Sequence, residues 1–192
     1  MKLVHALLPI AFLLGTITFT TSAHQAAASA GEWHASQDTD NRGTVYNQFS
    51  LTGKFIKEPP GGGSDPPTFV VRCKAPKGGG QAGGKFLSAS IRIGVPVKVD
   101  WVEPEVIHGT SYFPKVGVRY RLDEKKEIRE ELSPGNEKGS ASVPKNSTKE
   151  LLRARSILMT VVDPSGADIK IQFDISDPAQ VENACSLGHR KR

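Results

Sequence analysis

LSASIRIGVPVKVDW, residues 87–101, decides how this chain is read. Its odd positions are Leu87, Ala89, Ile91, Ile93, Val95, Val97, Val99 and Trp101, all apolar or small, and its even positions are Ser88, Ser90, Arg92, Gly94, Pro96, Lys98 and Asp100. Successive side chains of a strand point to opposite faces, so a period of two marks a strand with one buried face. Gly94 and Pro96 do not suit the middle of a central strand, which predicts a bulge, a bend or two strands meeting near residues 94–96.

The same alternation recurs outward from this stretch. Val116, Val118, Tyr120 and Leu122 are expected to face inward with Arg119 and Arg121 outward, and Ile169, Ile171, Phe173 and Ile175 inward with Lys170, Gln172 and Asp174 outward. Val45–Phe55 follows the pattern more weakly. The polar run at 123–126 predicts a turn into a strand over Glu127–Leu132, and Asp163-Pro164-Ser165-Gly166 predicts a turn joining Leu158–Val162 to Ala167–Ile175. About eight short strands joined mostly by turns predict a mainly β fold, an antiparallel β-sandwich or a strongly curved sheet.

Two short helices are expected near the C-terminus. Ser147-Thr148-Lys149-Glu150 fits a capping box, opening a helix that carries Leu151, Leu152 and Ala154 and ends near Ile157. Asp177-Pro178 fits a cap followed by proline at the first helical position, opening a helix through Val181 and Cys185. Loops rich in Gly, Pro or Ser are expected at 59–67, 75–84 and 134–144.

The N-terminal 30 residues read as a secretory signal peptide. Lys2 supplies the positive end, Ala6–Thr20 the apolar run, and small residues allow cleavage after Ala23 or Ala30. Residues 31–188 then form one β-rich domain, and 189–192 (HRKR) a basic tail. The apolar run is short for a membrane span, and no cysteine lies near the cleavage region to take a lipid. The mature chain is expected to be exported with no transmembrane segment, periplasmic if the source is Gram-negative and otherwise extracellular. Loss of residues 1–30 removes one base, Lys2, and no acid, lowering the formal charge from +5 to +4. The remaining basic residues are interspersed with acids rather than gathered in a stripe, which argues against a nucleic-acid partner.

Motifs that carry chemistry are sparse. GGQAGGK (79–85) satisfies G-x-x-x-x-G-K, but Phe86 stands where a phosphate loop needs Ser or Thr, and a strand pattern follows instead of a helix. Of five histidines, His34, His108 and His189 lie outside the leader and far apart, without zinc-ligand spacing. Asp38 and Asp40 resemble the start of a calcium loop, but the glycine comes one place early and no closing glutamate follows. Glu103 with Glu105, and Glu130 with Glu131, read as solvated charges rather than as acid–base pairs. Asn146-Ser147-Thr148 is a glycosylation sequon, relevant only in a eukaryotic secretory pathway. No catalytic residue, metal ligand or cofactor is assigned.

The chain has two cysteines. In TFVVRC (68–73), Phe69, Val71 and Cys73 share one parity, so Cys73 points inward while Arg72 points to the other face. Cys185 lies four residues after Val181, on the same helix side. Two inward thiols in an oxidising compartment are expected to pair, and closing a loop of about 110 residues corresponds to about 4–5 kcal/mol of chain entropy. Two free buried thiols, or a reactive one, are the alternatives.

Several features together resemble the type VI secretion-associated VasI/TagT-like proteins of Gram-negative bacteria. They are the leader, the early Trp33, the strand end Val70-Val71-Arg72-Cys73, a short helix before an aliphatic hairpin (147–175), Phe173 and a last-helix Cys185. The chain departs from that pattern in glycine-rich insertions around 61–63 and 78–84, and in Ser176-Asp177 where a glycine is expected. The resemblance implies a periplasmic accessory protein and carries no catalytic residues.

These readings lead to an exported, disulfide-stapled β-rich protein that binds a protein or cell-envelope partner without catalysis. The rivals are a hydrolase whose site converges only in three dimensions, and a carbohydrate-binding sandwich. A carbohydrate platform would have to draw on Trp33, Trp101, Tyr46, Tyr112 and Tyr120. The cysteine pairing has a direct check in intact mass: alkylation adds to both cysteines only after reduction, and labelling of both without it rules the bond out.

Overall fold

The computed structural model describes residues 31–57, 59, 65–78, 80, 82–102, 113–136 and 139–187. The signal peptide and the basic tail lie outside the described residues, as do Glu103, Glu105, His108 and Tyr112, and the side chain of Trp101. The described elements are β1 (Trp33–Thr39), β2 (Val45–Thr52), β3 (Lys54–Phe55), β4 (Thr68–Lys74), β5 (Lys85–Arg92), β6 (Asp100–Val102), β7 (Phe113–Leu122), β8 (Ile128–Pro134), β9 (Ser140–Val143), α1 (Lys145–Leu152), β10 (Ser156–Val162), β11 (Asp168–Asp174) and α2 (Ala179–Ala184). All pairings are antiparallel, along the path β1-β2-β4-β5-β9-β8-β7-β10-β11-β3, with β6 branching from β7. Among the described residues eleven strands stand where about eight were expected, because β3, β6 and β9 have only two, three and four residues. Elements that short carry too little periodicity to be read.

The sheet is open but strongly curved, and one run of chain links its two ends. β2 pairs with β1 and β4 near the first end, and after the single residue Gly53 the chain becomes β3, which pairs with β11 at the other. The Gly53 N–H donates to Pro67 O at 2.8 Å. A Cβ at this position would lie 2.7 Å from two ring carbons of Phe173 and 2.8 Å from Gln172 O. Only glycine lets the strand pass that close to the far half of the sheet.

The inward faces of the two halves meet in one core. Trp33, Phe69 and Phe173 meet in it at tilted and edge-on angles, with ring centroids 5.8 Å apart for the first pair and 6.4 Å for the second. Ile157, Met159 and Val161 of β10 lie between Leu122, Tyr120 and Val118 on one side and Phe173, Ile171 and Ile169 on the other. All nine are buried, and the six from β7 and β11 are among those the alternation places inward.

The opening stretch departs from simple alternation at both ends. Arg72 pairs with Ser88 but the next residue, Cys73, pairs with Phe86, so Leu87 is the extra residue of a β-bulge. Leu87 is therefore 44 % exposed, and Phe86 packs against the core in its place. At the other end β5 stops at Arg92. Gly94 takes φ +83° with Asp65 O pressed where a side chain would start, and the chain turns before β6, as Gly94 and Pro96 suggested. Ile93 and Val97 still bury their side chains across the turn, whereas Val99 is exposed.

Both helices start differently from the sequence reading. α1 begins at Lys145, with Pro144 as its cap residue, φ −59° and ψ 153°. Proline has no side-chain hydrogen-bonding group, so no side-chain cap is made, while its ring fixes φ at the helix entry. Ser147 lies inside the first turn and donates to Glu130 Oε1 at 2.6 Å, while Thr148 Oγ1 donates to Pro144 O at 2.9 Å. The helix ends at Leu152, so Ile157 belongs to β10. α2 begins after Pro178, one residue later than expected; Asp177 takes φ +42°, and Cys185 follows the helix with its N–H donating to Val181 O at 3.0 Å.

The crowding at Gly53 gives a stability prediction. Gly53→Ala is expected to cost about 1–3 kcal/mol in urea unfolding. Gly117→Ala on β7, where an added Cβ meets nothing within 4 Å, is expected to stay within about 0.5 kcal/mol of the parent.

Candidate functional site

The site is built on the half of the sheet that the disulfide staples. Cys73 of β4 and Cys185 after α2 are joined, with Cα atoms 5.3 Å apart at a sequence separation of 112. Both residues are fully buried. The Gly83 N–H donates to Asn183 O at 2.9 Å and the Gly84 N–H to Ala184 O at 2.8 Å. The glycine loop before β5 thus uses backbone donors to hold the last carbonyls of α2, the groups a helix C-terminus leaves without partners. Of the G-x-x-x-x-G-K stretch, Gly83 and Gly84 thus have a structural use, while Gly79 and Gln81 lie outside the described residues.

With Phe69, Val71 and Cys73 turned inward, the even residues of β4 and their partners form the outer face. The pair register lays them out in rows. Ser36, Gln48, Arg72 and Ser88 make one row across β1, β2, β4 and β5. His34, Ser50, Val70, Ser90 and Ser142 make the next, reaching β9, and Thr52, Thr68, Arg92 and Ser140 make a third. A further row runs Asp38, Tyr46, Lys74, Lys85. Short hydroxyl side chains dominate the middle, and basic groups stand at both ends.

A cleft of about 270 Å³ opens on this face. Arg72 and Arg92 line it together with Gln48, Ser88, Ser90 and Asn136. Among the described residues, its lining includes no carboxylate. Arg72 is held from outside the cleft: one terminal nitrogen lies 3.0 Å from Asp38 Oδ2, and the guanidinium carbon sits 4.6 Å from the centroid of the Tyr46 ring. An ion pair of this exposure adds little stability, but together with the ring contact it narrows the rotamers of the arginine.

The other residues singled out from sequence are dispersed. His34 is exposed on the edge strand β1. Asp40 closes the turn between β1 and β2: Oδ1 accepts the N–H groups of Arg42 and Thr44, and Oδ2 accepts the Tyr46 hydroxyl at 2.8 Å. These bonds, with the Thr44 N–H foremost, hold its carboxyl below the ordinary aspartate range and raise the Tyr46 hydroxyl in turn. The DTDNRG segment is thus a hydrogen-bonded turn. Glu130 accepts from the Tyr120 hydroxyl at 2.8 Å and from Ser147, tying α1 to β7 and β8, while Glu131 has the opposite strand parity. Burial first, and the Glu130 contact second, push the Tyr120 hydroxyl far up. Asn146 is exposed on the first turn of α1.

Sequence reasoning placed Arg72 outward but did not assemble the face around it. The available signal was the composition of outward positions: Gln48, Ser50, Ser88, Ser90 and Ser142 are small or neutral where solvated strands commonly carry long charged side chains. Joining those positions needs the strand order β2-β4-β5-β9, in which β9 comes from some fifty residues further along the chain.

Comparison of the chain with protein-family models, curated proteins and solved structures finds no match. The geometry defines a mainly β, disulfide-stapled domain with a polar, arginine-bearing cleft. Among the described residues, no helix is long and apolar enough to cross a membrane.

The turn carboxylates set a pH dependence. Asp123 Oδ1 accepts the N–H groups of Arg155 at 2.8 Å and Ser156 at 3.0 Å, which lowers its pKa, the Ser156 bond contributing most. A carboxyl held lower in the folded state contributes stability that is complete above its unfolded value, near pH 4, and is lost as the pH falls through the folded value. Urea midpoints recorded from pH 6 to pH 2 are therefore expected to fall more steeply below about pH 4 for the parent than for Asp123→Asn.

Proposed function

We propose that this chain is an exported, non-enzymatic binding or accessory protein of the cell envelope and, from the resemblance described above, a periplasmic component associated with type VI secretion. The observation that carries the reading is the outer face of β2-β4-β5-β9. It is a broad polar surface on paired strands, with a cleft on it and the disulfide anchored on the inner face of the same strand β4. Side chains fixed on paired strands keep their spacing, which lowers the ordering cost of binding. The disulfide fits an oxidising compartment, and the leader supplies the route to it. Trp33 is spent in the core, Tyr46 lies beneath Arg72, and Tyr120 is buried against Glu130, so these three aromatics do not build an open stacking platform.

The test is made in a Gram-negative host expressing the full chain. The protein is expected in the periplasmic fraction, shortened by its leader, and to recover an envelope component on affinity capture. Arg72→Glu with Arg92→Glu is expected to reduce that recovery at least tenfold while leaving the thermal midpoint within a few degrees. Retention of the leader in the cytoplasm, or equal recovery by the double variant, counts against the reading.

A further inference from the structure

We infer that the free edge of β1 pairs with the same edge of a second copy of this chain, antiparallel and about a two-fold axis at Ser36. The inference goes beyond the binding-protein reading above and does not depend on it.

The edge comes first. Among the described residues β1 stands at one end of the sheet path and pairs with β2 alone, while the other end, β3, is two residues long. Open strand edges are ordinarily blunted by lysine, proline, a bulge or shortness. β1 has none of these: it runs seven residues, WHASQDT, in unbroken register from Trp33↔Leu51 to Thr39↔Val45. Its one carboxylate, Asp38, is drawn back onto Arg72 at 3.0 Å. All six residues after Trp33 are exposed, so this part of the strand is held by the ladder to β2 rather than by core packing of its own.

Backbone phase comes second. The Asp40 N–H donates to Thr44 O at 3.0 Å, and Val45 O accepts the Ala75 N–H at 2.9 Å. Antiparallel pairs alternate between bonded and non-bonded, so the even residues of β1 bond to β2, and Ala35, Gln37 and Thr39 turn N–H and C=O toward the free edge. A second β1 supplies matching groups at these positions.

Register decides for a second copy. With the axis at Ser36, His34 of one copy lies opposite Asp38 of the other, twice by symmetry, and an imidazole N–H donates to a carboxylate. Arg72 approaches Asp38 through Oδ2, and a carboxylate accepts several such bonds. These are non-hydrogen-bonded pairs, whose side chains come closest. On the opposite face the short Ala35 meets the long Gln37. Moving the axis to Gln37 sets His34 against Asp40, whose carboxylate already accepts from the Arg42 and Thr44 N–H groups and the Tyr46 hydroxyl. Moving it to Ala35 sets Asp38 past the start of the facing strand. The axis at Ser36 stands perpendicular to the sheet, so the row Ser88, Arg72, Gln48, Ser36 runs on into the same row of the second copy in reverse order. Two clefts then face one way, an arrangement that suits bivalent contact with an extended surface.

Sedimentation velocity of the leader-processed, oxidised chain, over a concentration series reaching about 100 μM, is expected to show twice the chain mass. Ala35→Pro removes an N–H on the open side and leaves the β2 ladder intact. It is expected to raise the dissociation constant at least tenfold with an unchanged far-ultraviolet circular dichroism spectrum. Ser36→Cys gives a positive test that does not depend on the folding of the proline variant. Facing Cα atoms of a non-hydrogen-bonded pair lie about 4.5 Å apart, within the span of a disulfide, so mild oxidation is expected to join the two copies. Gln37→Cys sets its two thiols roughly 7 Å out of step along the strand and is expected to crosslink at least tenfold more slowly. The inference is overturned by a monomer throughout the series, by Ala35→Pro dimerising as tightly as the parent, or by equal crosslinking of the two cysteine variants. A monomer that instead takes up an extended segment of a different protein along β1 overturns it too and assigns the edge to that partner.

Discussion

The architecture depends on one close approach, Gly53 against the ring of Phe173. There the chain leaves the half of the sheet built around β4 and joins the half built around β10, and the inward faces of both are brought onto a shared core. A side chain at Gly53 would hold the halves apart by the thickness of a methyl group, and interiors packed to crystal-like density do not absorb that without shifting neighbours. Phe69 and Trp33 continue the same line of aromatic contact toward the N-terminal strand. The curvature of the sheet, and hence the shape of its outer face, follows from how tightly these groups meet.

The β-bulge at Leu87 divides the work of β4. Before it, Arg72 faces Ser88 on the outer surface; after it, Cys73 faces Phe86 on the inner side. The extra residue lets Phe86 turn toward the core, and the Nζ of the exposed Lys145 at the start of α1 lies 5.7 Å from its ring centroid. Bulges bend and twist a strand locally and re-aim its side chains. Here the bend falls between the disulfide anchor and the arginine of the cleft, so the covalent staple and the polar face share one local distortion. The glycine loop contributes from the other side by holding the end of α2 against β5.

Several elements were legible in the sequence because their cause is local. The inward sets Val116–Leu122 and Ile169–Phe173 follow from alternation alone, since a one-residue slip would expose every apolar side chain in the strand. The facing of Cys73 and its bond to Cys185 follow from parity and from the lack of any other cysteine. The helix starts were read less well. Ser147 and Asp177 look like caps by composition, but the neighbouring prolines set the backbone, and Ser147 found a stronger acceptor in Glu130 across the fold. Leu87 was misplaced because a bulge depends on the partner strand, which the sequence of one strand does not contain.

The sequence by itself determined which faces are apolar, which residues turn the chain and which two sulfurs can meet, because each is governed by short-range sterics or by elimination. Only the tertiary structure decided that β2, β4, β5 and β9 lie side by side, that Gly53 carries the chain from one end of the sheet to the other, and that Arg72 and Arg92 line one cleft. Strand order is a matter of non-local pairing, in which many arrangements satisfy the same alternation and side-chain packing across the core selects among them. The candidate site is a product of that selection, assembled from residues whose individual positions in the chain carry no mark of belonging together.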